Sequence, residues 1–347
     1  MRYVNHIEPV APGRARGVVA DVYADARREF GRLPEPVSML SPNEDLLAAW
    51  WATLRETLIA GDAPRARKEA VAAAVAVTQR CPWCVDAHTT MLYAAGESNT
   101  AQAILGDKEL PESDPNAAYV EWARGSAAPG GPPAPFGSEL AVEYIGTAMI
   151  FHFVTRLVLV LLDETFLPGG QRAQSLMRRA AGIAFARKVR ATYLPGLASA
   201  RLGTKPPPED LAWASAAPPV ATAFAALTNC LENAQHLPEA GRAVVSEAVG
   251  AWDGEALPIS SSWTDAHTAG LPGDLRAAAR LALLTSLSPH QVTDADVRAA
   301  RQLLTTDAAL VTALAWSAWT AARRIGQWIS WPADMSSARF VQGASDE

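Results

Sequence analysis

A chain of 347 residues with 49% hydrophobic content is long enough to bury one large core or two ordinary ones. Its 30 basic and 36 acidic side chains leave a net charge of -6, which argues against nucleic acid and anionic membrane as partners and leaves small molecules and proteins. Three cysteines are too few for a disulfide scaffold, and the start MRYVNHIEPVAPG has no apolar stretch of signal-peptide length, so the expected location is the cytoplasm.

Alanine, leucine and arginine dominate, alternating β-branched runs are scarce, and apolar residues recur at three- and four-residue steps, so the expected fold is all-α. In chain order the periodicity predicts helices near 16–31, 43–60, 64–79, 82–95, 115–126, 138–163, 172–201, 209–233, 238–252, 273–286, 293–304 and 307–329. Pro64 suits a first helical turn, Gly96 suits a helix stop, and Asn99 and Ser138 are candidate N-caps. The greasiest segment, Ala148 to Leu162, reads as a core helix, being short for a bilayer and interrupted by His152 and Arg156.

Two proline-rich breaks, at 129–135 and 205–208, divide the chain into an N-terminal block (1–128), a connecting helical block (136–204) and a C-terminal block (209–335). Asp86-Ala87-His88-Thr89 in the first recurs as Asp265-Ala266-His267-Thr268 in the last. Glu69-Ala70-Val71 recurs as Glu247-Ala248-Val249 at the same offset to within one residue. The outer blocks therefore read as two pseudo-repeats, one of them degenerate.

Chemistry concentrates in Cys81-Pro82-Trp83-Cys84-Val85-Asp86-Ala87-His88. On a helix, positions i, i+3 and i+7 fall within a ~60° sector of one face, so two thiols and an imidazole share a stripe. Pro82 places the helix start at or beside Cys81, where unpaired amides stabilise a thiolate. Glu69 would lie about 18 Å from Cys81 on one continuous helix. If the chain instead reverses around Thr78 to Arg80, a helical hairpin sets Glu69 opposite His88, where a carboxylate can hold the imidazole tautomer and help move a proton.

Glu69, the Cys81-x-x-Cys84 pair and His88, followed by an apolar helix, resemble the signature of the alkylhydroperoxidase-D-like and carboxymuconolactone decarboxylase superfamily over residues 69–95. The resemblance implies an alkylhydroperoxidase-D-like helical bundle that forms homo-oligomers and reduces small hydroperoxides, with Cys84 as the peroxidatic thiol, Cys81 as the resolving thiol, and Glu69 and His88 as the proton relay. It implies no bound cofactor or metal, and a dithiol electron-donor protein as reductant. The C-terminal block departs from the pattern, with Ser260 and Trp263 at the cysteine positions beside Glu247 and His267.

Other readings compete. A lyase of the decarboxylase branch needs a base but no dithiol, and a non-catalytic redox switch or structural protein would use the dithiol only to change an interface. Zinc would need ligands that no second Cys or His pair provides, and a thioredoxin centre would need a βαβ setting. Cys230 reads as a small core residue, His152 as a hydrogen-bonded interior histidine, and Trp50, Trp51, Trp316, Trp319, Trp328 and Trp331 as core or subunit-contact anchors.

Overall fold

The structure, a computed structural model, describes residues 4–163, 171–234 and 236–332, and among these the regular secondary structure is helical apart from a lone β-bridge between Val4 and Leu162. Residues 164–170 of the expected connecting block and 333–335 of the C-terminal block lie outside the described residues. The first helices are α1 (Gly17–Phe30), α2 (Glu35–Ser38), α3 (Glu44–Leu54), α4 (Arg65–Thr78), α5 (Pro82–Ala95), α6 (Ser98–Leu105), α7 (Ala117–Gly125) and α8 (Ser138–Leu161). Then follow α9 (Gln171–Val189), α10 (Pro218–Glu232), α11 (Glu239–Ala251), α12 (Trp263–Thr268), α13 (Gly273–Leu287), α14 (Asp294–Ala300) and α15 (Asp307–Gly326).

Helix ends follow local chemistry. Gly31 closes α1 at φ 80°, the Asn43 side chain accepts the Leu46 N–H at the start of α3, and Thr293 with Asp296 forms a capping box on α14. Where expectation and structure part, the reasons are equally local. The helix expected over 172–201 stops at Val189, because Pro195 and Gly196 follow and Glu56 draws the Gly196 and Ala198 amides onto its carboxylate at 2.7 and 3.2 Å. The helix expected over 209–233 is a 3₁₀ stretch, Glu209–Ala216, followed by a fresh start at Pro218-Pro219. Asn99 lies inside α6, an unforeseen helix preceded by Glu97, while Pro64 and Gly137 are themselves the residues preceding α4 and α8.

α8 is the central element. At 24 residues it is long and apolar enough to cross a membrane, which corrects the expectation that it falls short, but almost all of its most apolar stretch is buried inside the protein. It packs on α4 and α15 and against a single π-turn, Arg55–Ile59, that extends α3. The C-terminal block packs on the rest of the chain through α10 on α3 and α15 on α8. α9 lies along α5, and a glycine permits the approach: a Cβ at Gly182 would stand 2.9 Å from the Tyr93 Cβ and 3.2 Å from the Ala94 nitrogen. The pair Arg178–Asp86 and a bond from Arg190 Nε to the Ala94 carbonyl tie the two helices together.

Candidate active site

α4 ends at Thr78, and the chain reverses through Arg80, a non-glycine residue in the left-handed region at φ 56°. The Cys81 amide returns to the Ala76 carbonyl at 3.0 Å, which closes the turn, and Pro82 then opens α5. α4 and α5 therefore run as the antiparallel hairpin that the spacing of Glu69 and His88 requires. Gly96, at φ 102°, ends α5 by accepting the left-handed conformation that a side chain resists.

Cys81 is the residue preceding the helix, and its Sγ accepts the Cys84 amide N–H at 3.3 Å. The two cysteines are joined as a disulfide, with their Cα atoms 5.3 Å apart, and both are buried. They do not share one environment. Cys84 and His88 line a cavity of about 90 Å³, and Cys81 is not among its walls. The expected stripe of three groups is thus divided, because Cys81 caps the helix rather than continuing its face.

His88 Nδ1 lies 2.6 Å from Glu69 Oε2, and Arg65 Nε donates to Glu69 Oε1 at 2.7 Å. Glu69 is wholly buried. Burial alone pushes its carboxyl up, but Arg65 and His88 together outweigh that and hold it below the ordinary value of 4.5. A carboxylate accepting from Nδ1 fixes the ring with Nδ1–H toward Glu69 and Nε2 as the proton acceptor. The ring also stands edge-on to Phe151, with centroids 4.5 Å apart, so its orientation is held from two sides.

The cavity draws its walls from distant parts of the chain, among them Phe30 before α2, Trp50 and Leu58 from the α3 segment, Phe151 of α8 and Phe185 of α9. Apart from His88, its charged residues are Arg32 and Glu35, which bond each other at 2.6 Å. Trp50 is the core anchor expected, and it lines the cavity as well. It is buried, its indole N–H has no hydrogen-bond partner among the described residues, and it forms part of this wall. Leaving such a donor unpaired costs about 1–3 kcal/mol.

Reading the sequence missed Arg65 and the cavity walls. Arg65 carried a usable signal, being four residues before Glu69 on one helix. Trp50 and Phe151 carried none, since nothing local separates a cavity wall from ordinary core.

The remaining candidates fall outside the site. His152 accepts the interior role expected of it: Gln79 Nε2 is 3.3 Å from its Nδ1 and Ser126 Oγ 2.8 Å from its Nε2. Burial pushes the Cys230 thiol up to about 11, so it is not a thiolate at neutral pH. In the C-terminal block Glu247 and His267 are both exposed, in contrast to the buried Glu69 and partly buried His88, and the Ser260 hydroxyl bonds Ser262.

Comparison with known proteins adds two findings. The model of the carboxymuconolactone decarboxylase family matches residues 44–123, the span from α3 to α7 that contains the hairpin. An alkyl hydroperoxide reductase of Mycobacterium tuberculosis is 66% identical over 339 residues, covering 98% of each chain. No solved structure matches.

Proposed function

The chain belongs to the carboxymuconolactone decarboxylase family, and from that premise we propose that it is a thiol-dependent alkyl hydroperoxidase working through Cys84, Cys81, His88 and Glu69. The observation that carries the reading is that Cys84 and a His88 held by Glu69 line one apolar cavity, while Cys81 sits behind, bonded to Cys84.

In the reduced protein, His88 Nε2 takes the Cys84 proton, and the thiolate attacks the terminal oxygen of the hydroperoxide. The S–O bond forms as the O–O bond breaks, sulfur is oxidised to a sulfenic acid, and the alkoxide leaves as an alcohol with the proton that His88 held. The Cys81 thiol then attacks the Cys84 sulfur, expelling water and forming the disulfide seen here. An external dithiol returns both electrons. It meets Cys84 through the cavity, and the leaving group is Cys81, whose sulfur accepts the Cys84 amide at the helix start and is thereby stabilised as a thiolate. No bound cofactor enters the cycle.

The C-terminal block, with Ser260 and Trp263 in place of the two cysteines and with Glu247 and His267 in solvent, is read as a degenerate second copy that packs α10 against α3 of the first and α15 against α8 of the connecting block.

The test is peroxide consumption by the reduced protein with dithiothreitol in excess. Wild type should turn over cumene hydroperoxide repeatedly and lose two thiols per chain when the reductant is withheld. Cys84→Ser should be inert, and Cys81→Ser, with the reductant withheld, should stop after one equivalent with a sulfenic acid that dimedone traps. Equal turnover by Cys84→Ser would overturn the assignment.

A further inference from the structure

The first turn of α4 runs against helix electrostatics. It carries Arg65, Arg67 and Lys68 and no acidic residue, at the end where the helix dipole disfavours cations. Two of these have structural partners: Lys68 Nζ donates to the Ala60 carbonyl and to Glu143, each at 2.6 Å, and Arg67 stands over the Tyr119 ring at 5.0 Å. Arg65 reaches the site instead. Its Nε donates to Glu69 Oε1 at 2.7 Å, and its guanidinium lies 5.9 Å from the centre of the Phe30 ring, a wall of the Cys84 cavity. Arg65 is not itself a wall, so it acts on the reaction through Glu69.

We propose that Arg65 is a positioning residue of the peroxidase reaction: it occupies one oxygen of Glu69 and turns the other to His88 Nδ1, so that the imidazole, and not the carboxyl, carries the Cys84 proton until the alkoxide takes it. The inference rests on the peroxidase reading and deepens it. When the Cys84 proton reaches Nε2, the ring holds two protons. With Arg65 in place the Nδ1 proton stays on the ring, and the Nε2 proton passes to the alkoxide as the O–O bond breaks. Without the guanidinium, burial favours a neutral carboxyl at Glu69. A protonated Glu69 donates to Nδ1 and leaves the ring proton on Nε2, where it blocks uptake from Cys84. The charged groups that face Glu69 are Arg65 and Lys68 from its own helix and His88 from α5, and Lys68 is matched by Glu143 of α8. Arg65 is therefore the fixed charge set against burial.

The experiment follows single-turnover oxidation of the reduced protein by cumene hydroperoxide from pH 5 to 9 in wild type, Arg65→Met and Arg65→Lys. Removing a guanidinium beside a carboxylate raises the pH at which the Glu69–His88 pair sheds its extra proton by about 1–3 units. The acid limb of the Arg65→Met profile should move up by that much, while the rates above it converge on wild type. Arg65→Lys keeps the charge and should leave the limb closer to wild type. A purely structural role would lower the rate by one factor at every pH. That outcome, an unmoved limb in Arg65→Met, or a limb displaced equally in Arg65→Lys, would overturn the proposal. A wild type that does not react with the peroxide would instead overturn the peroxidase reading. Should Arg65→Met not fold, Arg65→Gln keeps a donor for Glu69 without the charge and should move the limb in the same direction. An unmoved limb there would equally overturn the proposal.

Discussion

Replacing Glu69 by Gln probes the proton relay at its least accessible point. The carboxylate accepts from two donors, His88 Nδ1 at 2.6 Å and Arg65 Nε at 2.7 Å, whereas an amide offers one oxygen and one NH₂. Arg65 is always protonated and can only donate, so the Gln oxygen turns to it and the NH₂ faces His88. That forces Nδ1 to become an acceptor and moves the ring proton to Nε2, the nitrogen that has to receive the Cys84 proton. The base is then in the wrong tautomer while its position is kept. General base catalysis contributes typically 10²–10⁴-fold, so the rate of Cys84 oxidation by cumene hydroperoxide should fall by about that factor. The buried site keeps both hydrogen bonds but loses the charge that neutralised Arg65, at a cost of about 1–3 kcal/mol, which a domain of ordinary stability survives. Stopped-flow single turnovers from pH 6 to 9, with a thermal melt of the same sample, separate the two effects. A folded Glu69→Gln protein that oxidises within threefold of wild type across that range would refute the relay.

Two further outcomes follow from groups around the site. Both cysteines are buried, and α9, which walls the Cys84 cavity through Phe185, is held to α5 by Arg178 on Asp86, so Arg178→Ala should loosen α9 by about 1 kcal/mol and speed reduction of the disulfide by dithiothreitol about fivefold. An unchanged reduction rate would show that α9 does not limit access. Acid should destabilise the protein through His152, which burial, reinforced by Arg156, keeps well below its ordinary value of 6.5. Below pH 6.5 the unfolded chain takes up a proton there that the folded chain refuses, so this contribution is complete above that pH and declines by about 1.4 kcal/mol per unit beneath it. Glu69 acts with the same sign at lower pH, its stabilisation being complete above 4.5 and lost as pH falls through the depressed folded value. Melting temperatures from pH 7 to 5 should therefore fall less steeply in His152→Gln, and an identical slope would remove His152 from the account.

What the sequence by itself determined was local. Helical period, Pro82 after Cys81, and Gly96 after Ala95 are properties of a few consecutive residues, and they sufficed to place a dithiol at a helix start and an imidazole two turns on. The reversal at Thr78 to Arg80 then needed one assumption, that a carboxylate ten residues upstream faces the histidine. Only the tertiary structure decided which sulfur lines a cavity, because the walls around Cys84 come from α3, α8, α9 and the segment beside α2, and no local pattern reports how such distant segments pack. The same holds for Trp50, whose place in the cavity wall no local pattern announces, and for Glu247 and His267, which match Glu69 and His88 in residue type but lie exposed to solvent. Residue type is written in the chain. Burial and partnership are set by packing between elements, which the chain specifies only as a whole.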